Sequence, residues 1–176
     1  MKKIIIISII SLAVIGLGIV LFIQDAKNSK FVVKEDNSKV AAVGQEYPSQ
    51  GQNHINPGSS HPAYNSNPPT SGPHYPQPAN WGVYSSPLED GQALHNLEHG
   101  GIWISYKDID DQTKRQLETI AKANPGSVIL TPRPTNDTKI ALASWTRLEK
   151  LDSYDEGKIL EFIRANKNKS PEPLAK

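Results

Sequence analysis

The chain of 176 residues contains no cysteine, and its only methionine is Met1. The absence of cysteine excludes disulfides, thiolate metal sites, a cysteine nucleophile and attachment of a lipid to a thiol. Any bound metal must therefore be held by nitrogen and oxygen ligands. This composition is compatible with an oxidising location outside the cytoplasm but does not require one.

The chain also lacks an excess of charge of either sign. It has 19 basic and 18 acidic side chains, and two of the basic ones, Lys2 and Lys3, precede an apolar run at the N-terminus. The rest of the chain is close to neutral, so it has no electrostatic footprint for nucleic acid or for an anionic membrane surface. We therefore expect no nucleic-acid partner, and the sequence leaves the protein partner open.

The apolar run is an uncharged stretch of 20 residues, Ile4 to Ile23. Its length matches a helix that crosses a bilayer. A cleaved signal peptide is the alternative, but such a peptide normally has a shorter apolar region and a small-residue cleavage site. Because the paired lysines come first, the positive-inside rule places the N-terminus in the cytoplasm. We therefore expect a single-pass protein of the cell membrane, with residues 1–23 as anchor, 24–44 as stalk and an extracytoplasmic C-terminal domain.

The stretch from Tyr47 to Pro87 is a loop by composition, with four prolines between Pro68 and Pro76. Each proline restrains its own backbone and that of the preceding residue, so the loop is stiff without ladder hydrogen bonds. A disordered proline-rich linker is the alternative. The aromatic residues of this stretch favour an ordered binding loop.

The second half of the chain shows the apolar periodicities of strands and amphipathic helices. The predicted elements are a short helix from about Gly91 to Gly100, a strand at Ile102 to Tyr106, a helix with Asp108 as N-cap, strands at Val128 to Leu130 and Ile140 to Trp145, and a helix after the capping-box pattern at Ser153 to Glu156. These elements predict an α+β fold with a single small mixed β-sheet and two amphipathic helices. The domain would span residues 45–173, and residues 174–176 would form a tail.

All five histidines lie between His54 and His99, and histidine-rich tracts indicate metal binding. His95 and His99 are four residues apart, so on a helix both imidazoles can reach one ion. Two histidines are too few for a tight site, and the proline-rich loop supplies the others. Nitrogen ligands without thiolates favour zinc or copper(II).

Two other interpretations of the histidines remain open. They could serve as staples that hydrogen-bond the backbone of the proline-rich loop. The segment HNLEH also matches the H-x-x-E-H pattern of inverted zinc peptidases, in which Glu98 would be the general base. Alternatively, Glu98 orients a histidine from outside the ligand set or pairs with a nearby basic side chain.

The runs YNSNPPTSGPHY, WGVY and HNLEHGGIWISY, with ILTPRP, IALASW and FIRANKNKSPEP further on, resemble the family known as domain of unknown function 3105. The resemblance covers about Gln45 to Pro173. Members of that family are mostly bacterial and often have an N-terminal membrane segment. The resemblance implies that His54, His74, His95 and His99 match regular histidines of the family, whereas His61 is less regular. It implies no reaction.

The leading hypothesis is therefore a membrane-anchored extracytoplasmic domain that binds zinc or copper(II) through His54, His74, His95 and His99. Such a domain would act as a metal carrier, sensor or accessory factor. The alternatives are a cell-envelope interaction or structural domain with histidines as loop staples, and a metal-dependent hydrolase that uses Glu98. The sequence does not decide whether the site is catalytic.

Overall fold

The computed structural model describes residues 29–32 and 40–175 of the chain. The chain divides into two compact units, residues 1–32 and 33–176, and the elements described below belong to the second unit. The predicted membrane anchor, Ile4 to Ile23, lies outside the described residues. Among the residues that are described, no helix is both long enough and apolar enough to cross a bilayer.

Within the described residues, the second unit contains one mixed sheet of six strands and three helices. The strands are β1 (Gln45–Glu46), β2 (Gly82–Val83), β3 (Ile102–Tyr106), β4 (Val128–Pro132), β5 (Ile140–Ser144) and β6 (Arg147–Leu151), and the helices are α1 (Asp90–Glu98), α2 (Asp111–Ala123) and α3 (Glu156–Asn166). Their spatial order in the sheet is β1-β6-β5-β3-β4-β2. Strand β4 is parallel to β2 and β3, and the other neighbours are antiparallel. The predicted α+β class with a single mixed sheet is confirmed.

Strand β3 is buried along its whole length, so both faces of the sheet are covered. Successive side chains of a strand point to opposite faces. Trp103 belongs to one apolar cluster with Leu94 and Leu97 of α1. Ile104 points to the other face, where α2 contacts β2 and β4 and α3 contacts β5. Helix α1 and the proline-rich loop therefore cover one face of the sheet, and α2 and α3 cover the other.

The two longer helices begin at residues other than those predicted. Asp110, not Asp108, caps α2, because its backbone is extended and its carboxylate accepts the N–H of Thr113 at 2.6 Å. Asp108 has a positive φ of 49° and cannot take the extended conformation of an N-cap. In α3 the cap is Asp155 and not Ser153, because Asp155 is extended and its carboxylate accepts the N–H of Lys158.

The buried stripes of these helices largely follow the predicted periodicity. Leu117, Ile120 and Ala121 of α2 are buried as expected, whereas Ile109 precedes the helix and is half-buried. In α3 the buried stripe consists of Ile159, Phe162, Ile163, Ala165 and Asn166, and Leu160 is half-buried. The stripes therefore identify the faces of the helices that cover the sheet.

Three strands have no counterpart among the predicted elements. Strands β1 and β2 have two residues each, which is too short for an apolar alternation. Strand β6, RLEKL, carries three charged side chains, and only Leu148 and Leu151 are buried. Their pairing partners, rather than their own composition, make these segments strands.

Candidate metal centre

Within the proline-rich loop, the segment around His74 is fixed by pairing with the segment around His54. The N–H of Gly72 donates to Gly51 O at 3.0 Å, the N–H of His74 donates to Asn53 O at 3.0 Å, and the N–H of Ile55 donates to His74 O at 2.8 Å. His54 and His74 therefore form a parallel β-bridge. Because paired residues present their side chains on the same face, the two imidazoles are neighbours, with ring centroids 4.8 Å apart.

The turn of the loop is buried against the end of β5. Residues 68–74 are all buried, and the N–H of Thr146 donates to Thr70 O at 3.0 Å. The hydroxyl of Tyr64 donates to Pro73 O at 2.6 Å. Gly72 has a φ of +112°, a conformation that a residue with a Cβ rarely adopts. The loop is thus an ordered support for His74, as its aromatic residues predicted.

Helix α1 supplies the other side of the centre. Leu94 and Leu97 are fully buried against the sheet, which leaves His95 and Glu98 facing the loop. The Nε2 atoms of His95 and His99 are 3.0 Å apart, so the two imidazoles share one side of the helix end, as their spacing predicted. The helix stops there because His99 is its C-cap and Gly100 follows with a φ of +84°.

Close packing holds both ends of α1 in place. A Cβ on Gly91 would lie 2.9 Å from the ring of Tyr75, and a Cβ on Gly101 would clash with the ring of Trp81. The side-chain amide of Asn96 makes a pair of hydrogen bonds with the backbone of Ala79, at 2.8 and 2.9 Å. The helix is therefore fixed to the loop segment that follows His74.

Two of the histidines use their Nδ1 atoms to bind the backbone of the loop. His74 Nδ1 donates to Gly72 O at 2.8 Å, and His95 Nδ1 donates to Tyr75 O at 2.6 Å. A carbonyl oxygen can only accept, so each Nδ1 carries the proton. The Nε2 atoms point away from the loop backbone, where His74 Nε2 is hydrogen-bonded to Glu98 Oε2 and His95 Nε2 to His99 Nε2. A metal ion would replace these contacts by binding the Nε2 lone pair of each neutral ring.

The Nε2 atoms of His54 and His74 converge on the carboxylate of Glu98. Glu98 Oε2 is 3.0 Å from His74 Nε2 and 3.5 Å from His54 Nε2. The ring of His95 is stacked on that of His54, with centroids 5.0 Å apart and an interplanar angle of 8°. His54, His74, His95 and Glu98 each offer one ligand atom, and these four atoms lie within 4.8 Å of one another. The side chain of His54 is 48% exposed, whereas that of His74 is completely buried.

Glu98 and its partner Gln52 complete the centre. Burial alone would raise the pKa of the Glu98 carboxyl, but the hydrogen bond from Gln52 and the proximity of His74 outweigh it and lower that pKa. The Gln52 amide donates to Glu98 Oε1 at 2.9 Å, which leaves Oε2 for the histidines. The sequence alone suggests Glu98 as a general base, as an orienting group or as the partner of a nearby basic side chain, and the structure pairs it with His54 and His74. No pattern pointed to Gln52.

The environment of His95 favours its neutral form. Burial lowers the pKa of this imidazole, and the neighbouring imidazoles of His99 and His74 lower it further, against the opposite effects of the Tyr75 carbonyl and of Glu98. An imidazole must be neutral to bind a metal. His95 is therefore prepared for ligation at neutral pH.

His99 belongs to a second group of potential ligands, with Glu98 and Glu172. Its Nε2 is 3.5 Å from Glu172 Oε2. His61 lies outside both groups, because it is exposed, contacts the ring of Tyr64 and donates from Nδ1 to the carbonyl of the adjacent residue, Pro62. The structure thus brings His54, His74 and His95 together with Glu98, and places His99 at the edge of that cluster.

The model of the family described as "Protein of unknown function (DUF3105)" matches residues 54–176. The chain belongs to this family. The matched region includes all five histidines, Glu98 and Glu172, and it contains the helices α1, α2 and α3. Neither the curated proteins nor the solved structures contain a match to the chain.

Proposed function

We propose that this member of the DUF3105 family binds one divalent transition metal, zinc or copper(II), through His54, His74, His95 and Glu98. The domain would serve as a metal carrier, sensor or accessory factor. The observation that carries the proposal is the convergence of three imidazoles and one carboxylate, with ligand atoms within 4.8 Å of one another. Buried ionisable groups in such an arrangement are costly unless they are paired or bind a metal.

The spacing of the ligand atoms suits a tetrahedral ion. Zinc bound to nitrogen and oxygen at about 2.0–2.2 Å has its ligand atoms about 3.3 Å from one another. The distances from Glu98 Oε2 to His74 Nε2 and His54 Nε2, 3.0 and 3.5 Å, lie on either side of that value. All four ligand atoms lie within 4.8 Å of one another, so side-chain adjustments that draw His95 closer would complete the coordination of an ion.

The surroundings of the ligands also support a metal. Metal-binding imidazoles generally donate their other N–H to a carbonyl or carboxylate, which sets the tautomer and the orientation of the ring. His74 and His95 do this through Gly72 O and Tyr75 O. Gln52 orients the carboxylate of Glu98 in the same manner. Three of the four proposed ligands thus have the hydrogen bonds expected of metal ligands.

The proposed ligand set differs from the sequence prediction in one member. The sequence placed His99 fourth, beside His54, His74 and His95. We propose Glu98 in that position, because its Oε2 faces two of the histidines and it is 2% exposed. A neutral fourth imidazole would leave a buried dication uncompensated, whereas the carboxylate cancels one of its charges.

The two alternative functions explain less of this geometry. Loop staples account for the Nδ1 bonds of His74 and His95. They need no second contact at Nε2, where His74 meets Glu98 and His95 meets His99. A hydrolase would need Glu98 free to accept a proton from a metal-bound water. Here one oxygen of Glu98 accepts from Gln52, and the other faces His54 and His74. That position suits a ligand better than a general base.

A membrane anchor is part of the proposal and rests on the sequence alone. The uncharged run Ile4 to Ile23, preceded by Lys2 and Lys3, is expected to leave the metal-binding domain outside the cytoplasm. Protease added to whole cells should then remove an epitope attached after Lys176. Survival of that epitope, while a known external marker is cut, would contradict the proposed orientation.

Metal content tests the proposal most directly. The full chain, purified without a histidine tag, should contain about one equivalent of zinc or copper by elemental analysis and should rebind it in calorimetric titration. His74→Ala and His95→Ala should each lose most of this binding, because each removes a ligand. His61→Ala is the matched control and should keep it, since His61 is exposed and lies outside the cluster. A wild-type chain that binds neither metal would refute the proposal and leave the histidines with the role of loop staples.

A further inference from the structure

We infer that His99 and Glu172 form a second, outer metal position through which the ion reaches the buried ligands. This inference rests on the proposed function, since the outer position serves the inner one. The two groups of potential ligands share Glu98. His99 Nε2 is 3.0 Å from His95 Nε2 on one side and 3.5 Å from Glu172 Oε2 on the other. Donor atoms therefore continue from the inner cluster to the surface.

The exposure of these side chains rises in one direction. The Glu98 side chain is 3% exposed, that of His99 is 23% exposed, and that of Glu172 is 57% exposed. An ion arriving from solvent can thus meet a carboxylate first, then an imidazole, and then the buried carboxylate. Each step exchanges one ligand for another, so the ion is never without protein ligands during its desolvation.

The backbone fixes Glu172 at this place. The N–H of Glu172 donates to Glu98 O at 3.1 Å, and the N–H groups of Leu174 and Ala175 donate to His99 O at 2.9 and 3.0 Å. The N–H of Asn168 donates to Gly100 O. The segment after α3 therefore crosses the C-terminal end of α1 and satisfies its free carbonyl groups. This arrangement places the Glu172 carboxylate beside His99.

An outer position of this kind has a kinetic signature. A ligand that binds the ion only in transit lowers the barrier for entry and for exit equally. Removing it slows both rates and leaves the dissociation constant unchanged. A ligand of the final site behaves differently, because its loss weakens equilibrium binding.

Copper(II) provides a suitable probe because Trp145 lies beside the inner cluster, with its ring centroid 6.2 Å from that of His74. Copper(II) chloride mixed with the metal-free full chain should quench the fluorescence of Trp145. The rate of quenching in a stopped-flow instrument measures entry of the ion, and the recovery of fluorescence after addition of a chelator measures its exit. In Glu172→Gln both rates should fall about tenfold, the lower end of the effect that a charged cleft has on association rates. His99→Gln should behave in the same way.

Glu161→Gln is the control for net charge, because it removes an exposed carboxylate from α3. Its entry rate should match that of the wild type. The inference would be overturned if Glu172→Gln loaded copper at the wild-type rate, or no more slowly than Glu161→Gln. It would also be overturned if the dissociation constant of Glu172→Gln and His99→Gln rose in proportion to the exit rate. In these cases wild-type copper binding would still support the inner site. A wild-type chain that showed no saturable quenching by copper(II) and bound no zinc in calorimetric titration would refute the proposed function as well.

Discussion

Replacing Glu98 by glutamine separates a metal ligand from a structural carboxylate. The amide has the size of the carboxylate, can still accept from Gln52 and can face His74 with its NH₂ group. The metal-free variant should therefore lose no more than about 1–3 kcal/mol of unfolding free energy, the cost of an imperfect buried hydrogen bond. Its ability to bind a divalent ion should fall much further, because a neutral amide replaces the only charged ligand.

The expected magnitude follows from mass action. An ion at about 100 times its dissociation constant stabilises the wild type by about 2.7 kcal/mol, or about 5–11 °C in melting temperature for a domain of this size. Loss of the carboxylate should raise the dissociation constant at least about a hundredfold, the upper end of what outer hydrogen-bond partners alone contribute. At the same metal concentration the gain then falls to about 0.4 kcal/mol, and the melting temperature rises by only about 1–2 °C.

Thermal melts of the full chain with and without zinc or copper(II) measure this difference. Glu89→Gln is the matched control, because Glu89 is exposed at the other end of α1 and its side chain makes no capping hydrogen bond. It should show the full metal-induced shift. A Glu98→Gln variant that keeps the wild-type shift would refute the assignment of Glu98 as a ligand.

The remaining predictions concern pH, the core and the packing around the centre. Metal stabilisation should be complete at pH 8 and should fade below about pH 6.5, because protons compete with the ion for the imidazoles. Since burial lowers the pKa of His95, protons should displace the ion from this residue only at a lower pH than from a free imidazole. Thermal melts with and without metal measure the effect, and stabilisation that grows on acidification would contradict it. Leu117→Ala should lower the free energy of unfolding in denaturant by about 2–5 kcal/mol. Lys158→Ala, on the solvent face of α3, should lower it by no more than about 0.5 kcal/mol. Equal losses would contradict the assignment of buried and exposed helix faces. Gly101→Ala should destabilise the protein by about 1–3 kcal/mol, because the added methyl group would clash with the indole of Trp81. Gly157→Ala lies in the open first turn of α3 and should stabilise the protein by about 0.5–1 kcal/mol. Equal melting temperatures of the two variants would contradict both expectations.

Local patterns were sufficient to predict the main elements of the sheet and its helices. Strand β3 and the stripe of α2 through Leu117 follow directly from apolar periodicity, because burial on one face imposes that periodicity on the sequence. The helix starts were wrong by two residues, at Asp108 and at Ser153. Several acidic and hydroxyl residues precede each helix, and only the backbone conformation decides which of them caps it.

The sequence by itself also identified the region of the centre. The clustering of the histidines and the stiffness of the proline-rich loop are local properties, and they were enough to mark the five histidines as one group, from which the family resemblance set His61 apart. The spacing of His95 and His99 was enough to place both imidazoles at one end of a helix, because the helical repeat is the same in every protein.

Only the tertiary structure decided which groups complete the centre. Glu98 meets His74 across 24 positions of the chain and Gln52 across 46, and Glu172 reaches His99 because its segment crosses the end of α1. None of these contacts leaves a periodic trace, since each depends on a single polar side chain. Their positions follow from the packing of α1 between the loop and the sheet, which is a property of the whole fold rather than of any one segment.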